Sequence, residues 1–264
     1  MIKFFRNIRK KLATENKVRS YLRYAVGEIV LVVIGILIAL QINNWNQAIQ
    51  EQKTVTTYLK GIHEDLATQA VSIEETIPLN ENVILTINAI IDDYLKHDGF
   101  KANDSLLSQI NKVLNTPGPI EIKTSFTELL NSGDLGLIKN NKLRKNIVLF
   151  YQDLEDMFER GKINITNIYQ AHLLPDLAAR TIIRTPGQYV NVKGSLNEYF
   201  KKRDYSERLK NIAFKRIENE DKELDLLNSL NLRLVIESLE LKRSQDILEK
   251  LYVLKKEIEE EIEK

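Results

Sequence analysis

A nineteen-residue apolar stretch, residues 24–42 (YAVGEIVLVVIGILIALQI), dominates the N-terminal part of this sequence. Glu28 is its only charged residue, and the run from Ile29 to Leu40 carries no charge at all. Nineteen helical residues rise roughly 28 Å at about 1.5 Å each, which is close to the thickness of the hydrocarbon layer of a bilayer. The stretch therefore predicts a transmembrane helix over residues 24–43.

The charges on either side of this stretch predict its orientation. Eight basic residues precede it, and Glu15 is the only acid among them. No basic residue lies between Arg23 and Lys53. By the positive-inside rule, the N-terminus is expected in the cytoplasm and residues 44–264 outside it. The residues expected at the membrane–water boundaries are the basic Lys3, Arg6, Arg9, Lys10 and Lys11 and the aromatic Tyr21, Tyr24 and Trp45.

The first 23 residues have an amphipathic pattern of their own. Ile2, Phe5, Ile8 and Leu12 recur at helical spacing, with Lys and Arg on the remaining faces. This pattern is typical of a helix that lies on anionic lipid, so residues 1–23 are predicted to be a basic cytoplasmic segment in contact with the bilayer.

Two alternatives to an uncleaved signal anchor remain open for the apolar stretch. One is a cleaved signal peptide, and the other is a buried helix of a soluble protein. The apolar run is long for a signal peptide, and residues 39–42 (ALQI) offer no small-x-small cleavage site. An uncleaved signal anchor is therefore the favoured interpretation.

The composition of the remaining chain favours long helices. The 264 residues include 10 Gly and 5 Pro, too few for a sandwich with many turns. Beyond Trp45 the apolar residues recur three or four apart, and one such stripe is predicted to end at Pro78. We therefore predict an all-α protein, in which the transmembrane helix is followed by an elongated antiparallel helical bundle.

Local signals predict where individual helices begin and end. Residues 125–128 (SFTE) match a capping box that opens a short helix, and Gly133 is the expected residue at its end. Asn140 or Asn141 is expected to cap the next helix.

The last sixty residues, 205–264, lack Gly and Pro and predict a long helix with a bend near residues 228–231. Its acidic end, residues 257–264, opposes the helix dipole and is expected to fray unless another part of the protein covers it. The apolar stripe of this helix is predicted to include Leu224, Leu227, Leu234, Leu241, Leu248 and Leu251.

Cys and His, which often catalyse reactions or bind metal ions, are scarce, whereas the plentiful Asp and Glu are expected on solvated helix faces. There is no Cys, which excludes disulfides, thiolate metal sites and cysteine nucleophiles, and there are only 3 His. His63 is expected at the surface, His97 exposed, and His172 partly buried in a structural role. No nucleophile-elbow, Walker A, dinucleotide-binding or zinc-protease motif occurs. We therefore predict no catalytic, metal-binding or cofactor-binding residue, no enzymatic activity and no nucleic-acid partner.

Glu28 is the candidate functional residue of the apolar stretch. A charge at the centre of a membrane span costs about 2.5 to 3.5 kcal/mol on insertion scales. Its side chain is expected to snorkel toward the basic end, and the alternatives are a contact with another transmembrane helix or a role in ion relay. Gly35 and Ala39, one turn apart, form a small-xxx-small pair that permits close packing of helices.

Two stretches resemble a known family. Residues 24–45 (YAVGEIVLVVIGILIALQINNW), preceded by MIKFFRNIRK at residues 1–10, are similar to the start of an uncharacterised family of single-pass membrane proteins from Bacteroidota. Residues 125–140 (SFTELLNSGDLGLIKN), followed by Leu143, Arg144 and Ile147, resemble that family's central motif. The resemblance implies a domain of unknown function in the inner membrane of a bacterium with two membranes, and it implies no reaction or ligand.

These patterns favour a non-enzymatic module anchored in the membrane, whose periplasmic helical domain scaffolds or binds another component of the envelope. One alternative is an accessory subunit of an ion-coupled membrane complex that uses Glu28. A further alternative is an extracytoplasmic sensor domain, which the short cytoplasmic segment disfavours, and a hydrolase is the distant enzymatic alternative. In addition to the lipid bilayer, a protein partner or a second copy of the chain is expected.

Overall fold

A computed structural model describes residues 18–183 and 204–263 of the chain. The basic residues Lys3, Arg6, Arg9, Lys10 and Lys11 lie outside the described residues. Within the described ranges the chain is helical with short connecting loops and contains no strand, which confirms the predicted all-α class.

The described part of the chain contains seven α-helices. They are α1 (Val18–His97), α2 (Asp104–Val113), α3 (Thr124–Ser132), α4 (Asn141–Ile163), α5 (Leu174–Arg180), α6 (Glu207–Ile217) and α7 (Glu223–Ile262). A π-helix, Asn164–Leu173, joins α4 to α5, and 3₁₀ turns at Asp134–Leu137 and Glu220–Lys222 precede α4 and α7.

The chain divides into two compact units, residues 1–57 and residues 58–264. The described part of the first unit is entirely helical and belongs to α1. Its large apolar side chains between Ile29 and Ile42 are 46% to 66% exposed on all sides of the helix. This helix is long and apolar enough to cross a membrane, and no other helix among the described residues meets that test. It is therefore a candidate membrane span.

Helices α4 and α7 run antiparallel in the second unit. Four polar contacts join them or the residues at their ends: Asn140 to Glu261, Asn146 to Glu257, Asp153 to Lys250 and Asn164 to Glu240. Residue numbers rise along one helix as they fall along the other, so the predicted antiparallel arrangement is present. The same contacts cover the acidic end of α7, where the sequence predicted fraying in the absence of a partner.

Residues 58–97 of α1 lie beside both α7 and the chain that leads into α4. The contacts with α7 join His63 to Glu259 and Glu74 to Tyr252. The contacts with the later segment join Ser72 to Ile120, Gln69 to Ile122, Asp65 to Ser125 and Tyr58 to Asp134. Residues 120–134 therefore run antiparallel to α1.

The apolar core of the second unit includes a cluster that joins the end of α1 to four other helices, α2, α5, α6 and α7. Its buried members are Val83, Ile87, Ile90, Phe100, Leu106, Leu107, Ile110, Val113, Leu177, Ala213, Ile217, Leu226 and Leu230. A smaller cluster contains Tyr169, Leu173 and Ile236.

The predicted stop at Pro78 is wrong, because Pro78 lies inside α1. Proline removes one helical hydrogen bond and costs about 3 kcal/mol in a helix interior. Here Pro78 is exposed, while Ile73 before it and Val83 after it are both buried. Burial of apolar side chains on both sides of the proline favours one continuous helix over a break.

Three predictions concern the ends of α3 and α4, and one of them is wrong. The predicted capping box is wrong, because Lys123 is the N-cap of α3 and makes no side-chain cap bond. Gly133 ends α3 in the left-handed conformation with φ 77°, as predicted. Asn140 caps α4 and accepts a hydrogen bond from the Leu143 amide, which settles the choice between Asn140 and Asn141.

The long C-terminal helix begins later than the sequence predicted. The chain breaks between α6 and α7 instead of bending at residues 228–231, because Asn219 caps a 3₁₀ turn by accepting the Asp221 amide at 3.0 Å. The predicted apolar stripe is also rotated, since Leu224 is 67% exposed whereas Leu226 and Leu230 are fully buried.

The three histidines differ in burial. His172 is exposed, so its predicted partial burial is wrong. His97 is exposed as predicted, and His63 is about a quarter exposed and bonds Glu259 at 2.7 Å.

A buried charged cavity as the candidate functional site

A cavity of about 290 Å³ lies inside the second unit. One wall is α7, the opposite wall is the end of α4 with the π-helix, and residues 116–119 and Asn80 of α1 complete it. The apolar lining includes Met157, Phe158, Ile165 and Ile236. Polar side chains of α7 lie on one face of that helix: Arg233, Glu237, Glu240 and Ser244.

Arg233 and Glu237 form a buried ion pair one turn apart on α7. Arg233 Nη2 lies 2.6 Å from Glu237 Oε1, and the two side chains are 2% and 4% exposed. The guanidinium also donates to the Asn115 carbonyl, and it lies 4.7 Å from the centre of the Tyr169 ring. The cation is thus held by a carboxylate, a carbonyl and an aromatic face, which together offset part of the cost of its burial.

Three buried polar atoms around the cavity have no hydrogen-bond partner in the described protein. They are Arg233 Nε, Glu237 Oε2 and Asn80 Oδ1. All three residues line the cavity, and each is at most 3% exposed. Leaving a buried donor or acceptor without a partner costs about 1 to 3 kcal/mol, and more for a charged group. Each of the three atoms has less than 1 Å² of accessible surface, so they are closed off from the space of the cavity.

Burial also shifts the ionisation of the pair. Removal from water raises the pKa of Glu237 to about 7, although the charge of Arg233 lowers it, and nearby Glu240 raises it further. Burial lowers the pKa of Arg233, and the carboxylate of Glu237 partly opposes this effect. A carboxyl group that ionises near neutral pH in a cavity is typical of functional sites, although structural ion pairs also produce such shifts.

The π-helix shapes the opposite wall. Its wider turn follows Ile163 directly and contains both Asn164 and Tyr169. Asn164 Nδ2 donates to Glu240 Oε1 at 2.6 Å, and the Tyr169 hydroxyl donates to the Leu114 carbonyl. π-Helical segments are rare and occur frequently at functional sites. This segment therefore connects the cavity to both α7 and the loop after α2.

Glu240 accepts two hydrogen bonds through one oxygen at the edge of the cavity. The oxygen that accepts from Asn164 also accepts from Arg243 Nη1 at 3.0 Å. Lys162 and the exposed residues Gly118, Ile165 and Thr166 also line the cavity. The exposed residues place its entrance between the loop at residues 116–119 and the π-helix.

The chemistry of this lining suits binding. It offers a guanidinium donor, carboxylate and amide acceptors and an apolar wall. No group of three or more His, Asp or Glu side chains with the spacing of a metal site occurs among the described residues.

The residues that the sequence singled out lie elsewhere. Glu28, Gly35 and Ala39 are on α1 in the first unit, where Glu28 is half-buried and Gly35 has open space around it. Trp45 is 66% exposed, and the backbones of Tyr21 and Tyr24 belong to the same helix. Glu28, Gly35, Ala39 and Trp45, whose side chains the structure describes, are not among the residues that line the cavity.

Sequence reasoning missed the cavity, although α7 contains a signal for it. Ten residues, from Leu226 to Ile258, recur at alternating spacings of three and four along α7. Four consecutive members of this series are polar: Arg233, Glu237, Glu240 and Ser244. Polar residues at core positions of a heptad series cost stability and can specify how helices pair, so this interruption is a signal in the sequence. This polar series was missed because a neighbouring series of leucines on α7 forms a more apolar stripe.

The comparison with protein families identifies this chain. A family of unknown function, DUF6090, matches residues 28–175. The chain belongs to this family. The expectation from the resemblance, an uncharacterised family, is thereby confirmed.

The DUF6090 match covers part of the cavity. Asn80, the loop at residues 116–119 and the wall up to Tyr169 lie within it, whereas Arg233 and Glu237 lie C-terminal to it. No curated protein and no solved structure matches the chain.

Proposed function

We propose that this chain is a membrane-anchored, non-enzymatic binding module of the bacterial envelope. Residues 24–43 anchor it in the inner membrane, residues 1–23 are cytoplasmic, and residues 44–264 lie in the periplasm. The observation that carries the proposal is a cavity of about 290 Å³ lined by the buried Arg233–Glu237 ion pair and by apolar side chains.

Binding is favoured over catalysis by what the carboxyl groups contact. Glu237 contacts Arg233, and Glu240 contacts Asn164 and Arg243, so both carboxylates are held by positioning groups. The proposed orientation rests on the charge asymmetry around the candidate span.

The binding function is tested with the full chain purified in detergent. Native mass spectrometry of the wild type should reveal a bound species that the double variant Arg233→Met, Glu237→Leu lacks. Replacing a buried ion pair by apolar residues of similar size is frequently neutral or stabilising, so this variant is expected to fold. An identical spectrum for both proteins would contradict the proposal.

The orientation is tested separately. A reporter that is active only in the periplasm, fused after Lys264, should be active, whereas the same reporter fused before Met1 should be inactive. Activity of the N-terminal fusion alone would reverse the proposed topology and would exclude periplasmic partners.

A second candidate function rests on Glu28, a carboxylate within the candidate membrane span. In this alternative the chain is a subunit of an ion-coupled membrane complex. Glu28→Gln would then leave the assembly intact and abolish activity that depends on the proton-motive force. If Glu28 instead pairs with a cation on a neighbouring transmembrane helix, the same variant would recover fewer partner proteins. If Glu28 only snorkels, neither measurement changes.

A further inference from the structure

We propose that the cavity binds a single aliphatic chain, carried by a fatty acid or a phospholipid, while the polar head of that molecule stays outside the entrance. This inference rests on the proposed binding function and assigns its ligand class.

The surface that the cavity presents to an occupant is mainly apolar. Met157 and Ile236 lie on opposite walls, and Phe158 and Ile165 extend the apolar lining toward the entrance. The unpaired polar atoms contribute almost nothing to this surface, because each exposes less than 1 Å². Transfer of hydrocarbon from water to such a surface is favourable, roughly in proportion to the area buried. The walls therefore select an apolar group over a polar one.

Water is a poor occupant of a cavity with such walls. A buried water molecule needs two to four polar partners, and an engineered apolar cavity of about 150 Å³ stays dry and binds benzene. The cavity of this protein is larger, at about 290 Å³. If it stayed empty, the side chains around it would lose contacts that a hydrocarbon supplies.

The lining is elongated along the helices. On α7 it extends from Arg233 to Ser244, about 16 Å at 1.5 Å per residue. The facing wall extends from Tyr169, whose ring lies 4.7 Å from the Arg233 guanidinium, to Met157. A cavity that follows two antiparallel segments in this way suits an extended chain better than a compact ring system.

Arg233 closes one end of this elongated cavity. Its guanidinium donates to the Asn115 carbonyl and lies over the Tyr169 ring, so it joins α7 to both neighbouring segments. Glu237 holds it in place at 2.6 Å. Arg233→Met with Glu237→Leu removes these contacts and puts a flexible methionine side chain beside the cavity, which can fill it. That double variant is therefore expected to lose the bound chain.

The entrance suits the polar head of a lipid or fatty acid. Gly118 and Thr166 are exposed there, and Lys162 is 72% exposed with its ammonium 3.8 Å from the Glu159 carboxylate. A head group at this position stays in water while its chain is buried. The proposed membrane anchor also keeps the protein close to molecules of this class.

Photolabelling of the full chain in phosphatidylcholine vesicles tests the proposal. One probe is dodecanoic acid with a diazirine in its chain, and the other is a phosphatidylcholine that carries the same photoreactive chain. Mass spectrometry of the digested protein locates the label, and label on the proposed span, residues 24–43, serves as the internal reference. We expect at least one probe to label the walls around Met157 and Ile236, and an excess of the unlabelled form of that probe to abolish this label. Label from the free acid alone would assign the site to fatty acids, and label from the phospholipid would assign it to a membrane lipid.

Ile165→Trp is the decisive variant, because Ile165 lines the entrance and is 37% exposed, so a larger side chain can block the entrance without disturbing the core. The matched control is Ile163→Trp, at a position that is 51% exposed and does not line the cavity. Ser244→Leu fills the cavity from α7 instead. Label on the cavity walls should be lost in Ile165→Trp and in Ser244→Leu and retained in the control, with equal label on the span in all three.

Several outcomes overturn the inference. Label confined to residues 24–43 would mean that no aliphatic chain enters the cavity. Label on the walls that persists in both Ile165→Trp and Ser244→Leu, or that the unlabelled form does not displace, would not come from a bound chain in the cavity. If native mass spectrometry then still shows a bound species that Arg233→Met, Glu237→Leu lacks, the binding function stands and only the aliphatic ligand is wrong, whereas absence of that species overturns both.

Discussion

At the scale of single residues, polar side chains occupy positions in α7 that apolar ones would normally fill. Arg233 and Glu237 follow Leu226 and Leu230 in the same buried series. Burying this pair costs desolvation energy that its mutual attraction only partly returns. The protein therefore carries at this position a feature that costs stability, which the proposed binding function would account for.

The pH dependence of stability should reveal the buried carboxyl group. The pKa of Glu237 is about 7 in the folded protein and near 4.5 in the unfolded chain. Between these values the folded state holds a proton that the unfolded state has released, so this group makes stability fall as pH rises. Relative to wild type, Glu237→Gln should therefore gain stability between about pH 4.5 and pH 7 and show a constant difference above that range.

Urea unfolding of both proteins across this range provides the measurement. Taking the difference between them removes the contributions of surface groups such as Glu257, whose pKa is lowered by Asn146 and Lys142. A difference that does not vary with pH would mean that the pKa of Glu237 is the same in the folded protein as in the unfolded chain.

Gly133 should contribute to stability through its backbone conformation alone. Its φ of 77° is left-handed, and a Cβ added there meets no atom within 4 Å. Gly133→Ala should thus cost about 1 kcal/mol from conformational strain without any clash. Gly136→Ala is the matched control, since that glycine also has open space but not a positive φ. Equal melting temperatures for the two variants would argue against a left-handed Gly133.

At the scale of helices, α3 depends on α1 for the cap that its own sequence does not provide. The Ser125 amide in its first turn donates to Asp65 Oδ2 at 2.7 Å. The helices are also close here, because a Cβ on Gly61 would lie 2.7 Å from Ser125 Oγ. A carboxylate from a neighbouring helix thus replaces the predicted capping box and complements the positive end of the α3 dipole.

Removing this carboxylate should loosen α3. Asp65→Ala is expected to destabilise the protein by about 1 kcal/mol, the usual cost of losing an N-cap acceptor. Glu64→Ala removes the same charge from the adjacent, exposed position and should change stability little. Hydrogen exchange of the α3 amides should rise in the first variant only. Unchanged exchange in Asp65→Ala would show that the contact does not hold α3.

At the scale of the whole molecule, the candidate span should decide whether the protein stays with the membrane. Val33→Arg combined with Leu37→Arg places two charges in the apolar stretch, each costing about 2.5 to 3.5 kcal/mol near the bilayer centre. The protein should then be released by an alkaline carbonate wash that leaves the wild type in the membrane pellet. Gln47→Arg with Gln50→Arg, at exposed positions beyond the stretch, should be retained. Retention of both variants would contradict a membrane span over residues 24–43.

Features of this protein that depend on interactions between nearby residues are predictable from its sequence, whereas those that depend on distant residues are not. Composition and spacing predicted the all-α class, the candidate span, the left-handed Gly133 and a cap at Asn140 or Asn141, because each depends on residues close together in the chain. The stop at Pro78 and the capping box before α3 failed, because distant residues outweigh the local preference at both places. Apolar burial around Pro78 keeps α1 continuous, and Asp65 supplies the α3 cap from another helix.

The sequence by itself determined that the chain is helical and carries one strongly apolar stretch, since backbone propensity and hydropathy are properties of the chain itself. Only the tertiary structure decided which face of α7 is buried. Two stripes compete along that helix, and the leucine stripe is the more apolar one. Packing against α4 and α1 instead buries the face with Arg233 and Glu237. The groups that hold this charged pair, Asn115 and Tyr169, lie more than sixty residues away in the chain, so the local sequence pattern of α7 does not reveal them.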